Sequence, residues 1–321
     1  MRQSNLKLGK DLAKHFNKNY GIITYSGTLA IEIALKSLLK ENDNILISSE
    51  VCYSIINTIL KLKMNPIIVK PQNGLFLTDD DIDGAIKEYK INCIVLVHQF
   101  GILNNIDLKK YKLNEIKIIE DVAQAWGISN NIYRVGMNSD IVVTSFGKTK
   151  PLSYGIGGGL FFNKQDITNI VDCCDNISRE NNNILLSYLY PLCEKINIEQ
   201  LIEIANNIVK EQKNAASKYF EILSNSKDIK SLDIKENNQN IWHRFPIWIE
   251  DDKKFRDVLE YLKNTELEYQ LPHEIEILEL TKFKNCHKIT KTTEKKNIIL
   301  LRTRNIDIEK QTEILKILIK I

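Results

Sequence analysis

The sequence predicts an α/β chain in which a parallel sheet covered by helices is followed by a smaller α+β unit. Between residues 20 and 165, short apolar runs alternate with segments of helical period, the pattern of strands joined by crossover helices. Beyond residue 166 the alternation gives way to longer helical stretches, and strand-like runs return only toward the C-terminus. A chain of 321 residues is also long enough to divide in two, and the expected division is a large domain over 1–224 and a small one over 225–321.

Strands are expected at 45–47, 66–69, 93–97, 116–119 and 141–144, all short apolar runs. Between them, 29–39 carries apolar residues at 29, 30, 33, 34 and 38, which form one helical face, and a second helix spans about 54–62. Three aspartates open the segment 79–89, where negative charge suits the positive end of a helix. The stretch 199–223 reads as a long helix linking the two domains. After it come a strand at 245–249, a helix near 252–263, a strand near 298–301 and the amphipathic end IEKQTEILKILIKI. Asparagine clusters at 181–183 and 237–240 mark loops.

Composition narrows the function. The formal charge of +3 comes from interleaved acids and bases, so nucleic acid and anionic membranes are not expected partners. No apolar run reaches the roughly 18 residues of a membrane span, and the start, MRQSNLKLGKD, lacks a secretory hydrophobic region. A cytoplasmic protein is expected. The six cysteines show neither CxxC pairs nor metal spacing with the five histidines, so reduced thiols and no metal site are expected.

In an open α/β sheet, ligands bind beyond the carboxyl ends of the strands. Four such places hold unusual residues. In YSGTLAIEIAL, Ser26, Gly27 and Thr28 directly precede a helix, offering N–H groups and hydroxyls to a phosphate or simply capping the helix. In VHQFG, His98 follows a strand and reads more readily as structural than as a proton carrier. In IIEDVAQAWG, Glu120 and Asp121 point to opposite faces, so one of them faces the site; an acid there can hold a protonated ring nitrogen, with Gln124 in reach of the same ring's oxygen.

The fourth is SFGKTKPLSYGIGGGL, 145–160. Gly147, Lys148 and Thr149 match the end of GxxxxGK[ST], but position 142 is valine within a strand; glycines 155, 157, 158 and 159 also miss GxGxxG and precede a strand-like LFF. What remains is a lysine on a loop, followed by glycines that let backbone pass close to a bulky ligand. A desolvated lysine has a lowered pKa and forms Schiff bases with aldehydes. A phosphate anchor, a ring acid, an amide and a nucleophilic lysine together match the needs of pyridoxal phosphate.

In this order, SGT before a helix, H-x-[FY]-G, E-D-x-A-Q-A-x-G, R-V-G-x-x-x-D, and S-F-x-x-x-K with glycine five residues on, the sequence resembles the DegT/StrS family of pyridoxal-phosphate sugar aminotransferases. The motifs are Ser26 to Thr28, His98 to Gly101, Glu120 to Gly127, Arg134 to Asp140, and Ser145, Phe146, Lys150 and Gly155; KEQKNAASKYFEIL and HRFPIWI resemble the family's connecting helix and small-domain strand. The resemblance implies fold type I, with a mainly parallel, seven-stranded-type sheet, and a homodimer. It implies that Lys150 carries the cofactor as a Schiff base and then moves protons, that Asp121 pairs with the ring nitrogen and Gln124 with the ring hydroxyl, that Ala123 packs on one ring face, and that Gly27, Thr28 and Ser145 hold the phosphate. Arg134 is as readily a structural residue as a substrate contact. The activity implied is transfer of an amino group, from glutamate, to a keto sugar, nucleotide-linked, or to a small phosphorylated keto acceptor, in sugar or polysaccharide biosynthesis. The alternatives are another pyridoxal-phosphate reaction, elimination or decarboxylation, and an inactive relative.

Three departures stand out. Cys52, followed by Tyr53, occupies the place of the family's aromatic on the second ring face. Ile156 stands where relatives carry an acid. The N-Y-R-M type motif through which a partner subunit reaches the site is missing, with Asn181, Asn182 and Asn183 in roughly that region. A smaller or altered substrate pocket follows from these departures and the shorter chain.

Overall fold

The structure, a computed structural model, describes residues 3–72, 74–128, 134–163, 169, 170, 172–174, 196–231, 240–272, 287–289 and 297–320. The chain opens with α1 (Gln3–Ala13), β1 (Tyr20–Thr24), α2 (Gly27–Leu38), β2 (Asn44–Ser48), α3 (Tyr53–Lys61), β3 (Asn65–Val69), α4 (Asp79–Glu88), β4 (Cys93–Val97), α5 (Leu108–Leu113), β5 (Lys117–Asp121), β6 (Ile141–Ser145) and β7 (Gly158–Phe162). It continues with α6 (Ile198–Leu223), β8 (Ile229–Ser231), β9 (Arg244–Ile249), α7 (Asp252–Lys263), β10 (Tyr269–Gln270), β11 (His287–Ile289), β12 (Asn297–Arg302) and α8 (Ile308–Leu318).

One sheet has eight strands in the order β1-β7-β6-β5-β4-β2-β3-β11. From β6 to β11 neighbours are parallel, while β7 runs antiparallel to both β6 and β1. Seven strands precede residue 163; the eighth, β11, comes from the C-terminal part and lies beside β3. A separate antiparallel sheet has the order β10-β12-β9-β8.

All five sequence-predicted strands of the large sheet are present, with ends that differ by a residue or two; the one expected at 116–119 begins at Lys117 and runs to Asp121. Three were not foreseen as they stand: β1, β7 and β11. YGIIT forms β1, and the LFF run begins at Gly158, because both strands are defined by pairing with each other. The segment SFGKTKPLSYGIGGGL is therefore the connection from β6 to β7.

The pleat sorts the core. Ile94, Leu96 and Ile118 pack on one face of the large sheet with α1, α4 and α6 residues, while Cys93, Val95, Ile119, Ile141 and Val143 pack on the other with α2 and α3. A third cluster joins α6 to the small sheet and α8, and it includes Phe100 and Ile102 from the loop after β4. Thr78 caps α4 reciprocally with Asp81, the capping box that the aspartate run announces. No helix among the described residues is long and apolar enough to cross a membrane.

Candidate active site

A cavity of about 410 Å³ opens where the carboxyl ends of β4, β5 and β6 meet the N-termini of α2 and α3. Its lining brings together Gly27, Thr28, Cys52, Asp121, Ala123, Gln124, Ser145 and Lys150, all eight of the sequence-predicted site residues.

At one end, α2 points its N-terminus into the cavity. Ser26 caps the helix, its hydroxyl accepting from the Leu29 N–H at 3.1 Å. A Cβ on Gly27 would lie 3.0 Å from Ser145 Cβ and 3.3 Å from the Thr144 carbonyl, so the helix begins in a cradle that a larger residue would fill. Ser145 accepts from the Gly147 N–H at 3.3 Å, which leaves its own hydroxyl hydrogen to donate. Backbone N–H groups, hydroxyls and the helix dipole together suit an anion.

The adjacent acids separate as the pleat requires. Glu120 points away from the cavity, toward His98 Nε2 at 3.2 Å, and accepts from the Gly136 N–H at 2.7 Å. The Asn104 N–H donates to His98 Nδ1 at 3.1 Å, so the ring hydrogen sits on Nε2 and is given to Glu120. His98 and Glu120 are thus a fully buried structural pair.

Asp121 faces the cavity from the end of β5, held by the Ala123 N–H at 2.9 Å. Burial raises its pKa, and the Ala123 N–H, Lys150 and His98 oppose the rise. Burial lowers the pKa of Lys150, against the pull of Asp121 and Cys52, while Arg244 adds to the fall. The turn Gly147 to Lys150, closed by a 2.9 Å hydrogen bond, presents this lysine. Gln124 uses its amide oxygen to accept from the Phe100 N–H at 2.8 Å, so its NH2 is the end left to donate.

The small sheet closes the far side. Gly101, at φ +71°, approaches so closely that a Cβ would lie 2.7 Å from the His243 nitrogen, and its carbonyl accepts from Ile241 at 2.8 Å. This contact brings His243, Arg244 and, through β10, Gln270 into the lining. With Glu50 and Gln99, these residues escaped the sequence reading. The arginine opening the apolar run HRFPIWI was the available signal.

Of the departures, Cys52 lines the cavity at the N-cap of α3, whereas Tyr53 is 43% exposed and outside the lining. Ile156 is exposed on the β6–β7 connection. Arg134 is exposed and also lies away from the cavity. Asn181, Asn182 and Asn183 lie outside the described residues, as do 237–239; Asn240 accepts from the Leu103 N–H at 2.9 Å.

The chain resembles known proteins at two levels. A GDP-perosamine synthase of Vibrio cholerae is 23% identical over 279 residues, spanning 80% of this chain and 73% of that protein. A dTDP-3-amino-3,4,6-trideoxy-alpha-D-glucose transaminase of Micromonospora megalomicea is 28% identical over 145 residues, 44% of this chain and 39% of its own. Among solved structures, the GDP-4-keto-6-deoxy-D-mannose-3-dehydratase of E. coli with bound hydrated PLP superposes with a TM-score of 0.77 at 14% identity, covering 99% of this chain and 92% of that one. The likeness to that structure concerns the fold. The sequence model of the DegT/DnrJ/EryC1/StrS aminotransferases matches residues 2–316, nearly the whole chain, and the protein belongs to that family.

Proposed function

We propose that the protein is a homodimeric pyridoxal-phosphate aminotransferase that moves an amino group from glutamate to a keto sugar, nucleotide-linked, or to a small phosphorylated keto acceptor. The observation that carries this reading is the convergence of Lys150, Asp121 and the N-terminus of α2 on one cavity. The donor set fits the cofactor: the cradle at Gly27 suits its phosphate, a buried acid suits its protonated ring nitrogen, and a free amide NH2 suits its ring oxygen. Pyridoxal phosphate, when bound, supplies an aldehyde that takes up an amine and a ring that withdraws electrons from it.

Each residue then has a definite task. Gly27 offers its N–H, and Thr28 and Ser145 their hydroxyls, to the phosphate. Asp121, shielded from water, holds the ring nitrogen's proton in place as a charge-assisted hydrogen bond. Gln124 donates to the ring oxygen. Ala123 would pack on one ring face, and Cys52, also in the lining, would stand at the other. Lys150 would anchor the cofactor at rest; freed when the donor's amine takes its place, its neutral Nζ would accept the proton from the donor's α-carbon and pass it to the cofactor's former aldehyde carbon, the proton move that amino-group transfer requires. A lowered pKa keeps that nitrogen unprotonated at lower pH than an ordinary lysine. Residues 1–224 form the cofactor-binding domain in this reading, and 225–321 the small domain that faces it across the cavity, apart from β11, which reaches back to pair with β3 of the large sheet.

Mixing the cofactor-loaded protein with L-glutamate alone tests the reading. Pyridoxamine phosphate and 2-oxoglutarate should both appear by mass spectrometry. Cofactor consumption of neither kind, with loss of water or carbon dioxide from an added substrate, would instead mark an elimination or decarboxylation. Screening keto sugars and small keto phosphates for 2-oxoglutarate release then identifies the acceptor, and sedimentation tests the dimer.

A further inference from the structure

Gln99 stands just past the carboxyl end of β4 and lines the cavity together with Asp121 and Lys150. It is only 3% exposed, yet neither the oxygen nor the nitrogen of its amide has a hydrogen-bond partner among the described residues. Burying an amide with both ends unmet is costly, and in a native fold such a group calls for a partner from outside the chain.

The backbone holds Gln99 firmly in this place. On one side the His98 N–H donates to the Asp121 carbonyl at 3.1 Å; on the other the Gln99 carbonyl accepts from the Ile102 N–H at 2.9 Å, closing a short turn. Inside that turn Phe100 takes φ +58°, a left-handed conformation that a bulky residue adopts only where its surroundings impose it. The Phe100 N–H donates to Gln124 Oε1 at 2.8 Å, and the Gly101 carbonyl accepts from the Ile241 N–H at 2.8 Å. The two glutamines therefore differ: Gln124 keeps only its NH2 free for a ligand, whereas Gln99 offers both a donor and an acceptor.

We infer that Gln99 seats a hydroxyl of the amino acceptor and so selects a keto sugar over a small phosphorylated keto compound. The inference rests on the aminotransferase reading above. The two unmet ends decide the group. An amide asks for one atom that donates and one that accepts, and a hydroxyl does both. A carboxylate or a doubly ionised phosphate offers acceptors only and leaves the amide oxygen unmet; an ammonium offers donors only and leaves the NH2 unmet. The cofactor's phosphate, ring nitrogen and ring oxygen are provided for by α2, Asp121 and Gln124, and glutamate carries no hydroxyl, so the group belongs to the acceptor.

Aldehydes that differ only in hydroxyls read the seat. Glycolaldehyde and propanal differ by a hydroxyl beside the carbonyl, and D-erythrose and butanal differ at every carbon after it. Each is mixed in single turnover with protein loaded with pyridoxamine phosphate, and the returning visible band gives the rate. Gln99→Met keeps the length and loses both polar ends. It should cut the wild-type preference for the hydroxylated member of at least one pair by roughly tenfold or more, because a site built for a hydroxyl loses its discrimination with its partner. Comparing preferences between the two proteins cancels the hydration of the aldehydes in water. Gln99→Asn, an amide one bond shorter, should fall between, and it decides the matter alone should Gln99→Met not fold. Formation of pyridoxamine phosphate from L-glutamate should slow by less than about threefold, since the donor has no hydroxyl to lose. Equal preferences in wild type and variant, or a wild type that reacts with glutamate and with none of the aldehydes, overturn the hydroxyl seat and leave the aminotransferase reading intact. An equal loss for every aldehyde and for glutamate, with weaker pyridoxal phosphate binding, assigns the amide to the cofactor and overturns the seat as well. A wild type that forms no pyridoxamine phosphate from glutamate removes the aminotransferase reading, and the seat with it.

Discussion

A Cβ on Gly158 would lie 2.5 Å from the backbone nitrogen of Gly27. The first residue of β7 and the first of α2 therefore touch backbone to backbone, and the bridge from Ser26 to Gly157 continues the contact. The glycines after Lys150 shape one end of the cavity through this approach: they let the N-terminus of α2 enter beside Ser145. Gly158→Ala must push that helix end aside, because its neighbour is backbone and cannot rotate away. Cofactor binding should weaken about tenfold to a hundredfold, the worth of one or two hydrogen bonds to a charged group. Equilibrium titration with pyridoxal phosphate measures it, and unchanged affinity would show that the contact does not set the helix end.

Lys150 is the second test. Wild-type protein treated with pyridoxal phosphate and then borohydride should gain one pyridoxyl phosphate by mass, and peptide mapping should find it at Lys150. Lys150→Ala should gain none, and turnover should fall by at least about a hundredfold, the usual range for loss of a positioned acid–base group. An adduct of equal yield in the variant would shift the bond to another lysine, and Lys148, exposed two residues earlier, is the first to check.

The large sheet was legible because its strands are buried on both faces and read as continuous apolar runs. β1, β8, β10 and β11 were not: β8, β10 and β11 have only two or three residues, and in all four pairing with partners distant in sequence makes them strands. Within the site, motif order brought out Lys150, Gly27 and Gln124. Alternation along β5 could say only that Glu120 and Asp121 diverge. Which of them meets the cavity depends on which face packs on α2 and α3, and that is a property of the assembled core. His243, Arg244 and Gln270 were hidden for a related reason, since they reach the cavity only through the close contact of Gly101 with the small sheet.

Glu120 supplies a test of the structural pair. Glu120→Gln keeps the shape but removes the charge that accepts from both His98 and Gly136. Stability should fall by about 1.5–3 kcal/mol, as for a hydrogen bond to a charged group. Borohydride fixation of the cofactor at Lys150 should persist. Thermal melts and mass spectrometry read the two effects separately, and loss of fixation in a folded variant would move this pair from architecture into the site.

Asp121 ties the chemistry to stability. Burial raises its folded-state pKa above the ordinary carboxylate value, so the folded protein holds this proton more tightly than the unfolded chain. At low pH the carboxyl is neutral in both states and costs nothing. As pH rises through the unfolded and then the folded pKa, the folded state must carry a buried charge, and that part of the stability is lost. Asp121→Asn carries no such charge. In cofactor-free protein the melting temperature of the variant should therefore gain on wild type as pH climbs through the acid range and level off above the folded pKa. Pyridoxal phosphate should stabilise wild type more than the variant, because the ring nitrogen's proton pairs with the ionised acid and not with an amide. Melts across pH, with and without cofactor, test both halves. A gap between the two proteins that is the same at every pH would mean that Asp121 is not held against ionisation, and its proposed pairing with the ring nitrogen would lose its physical basis.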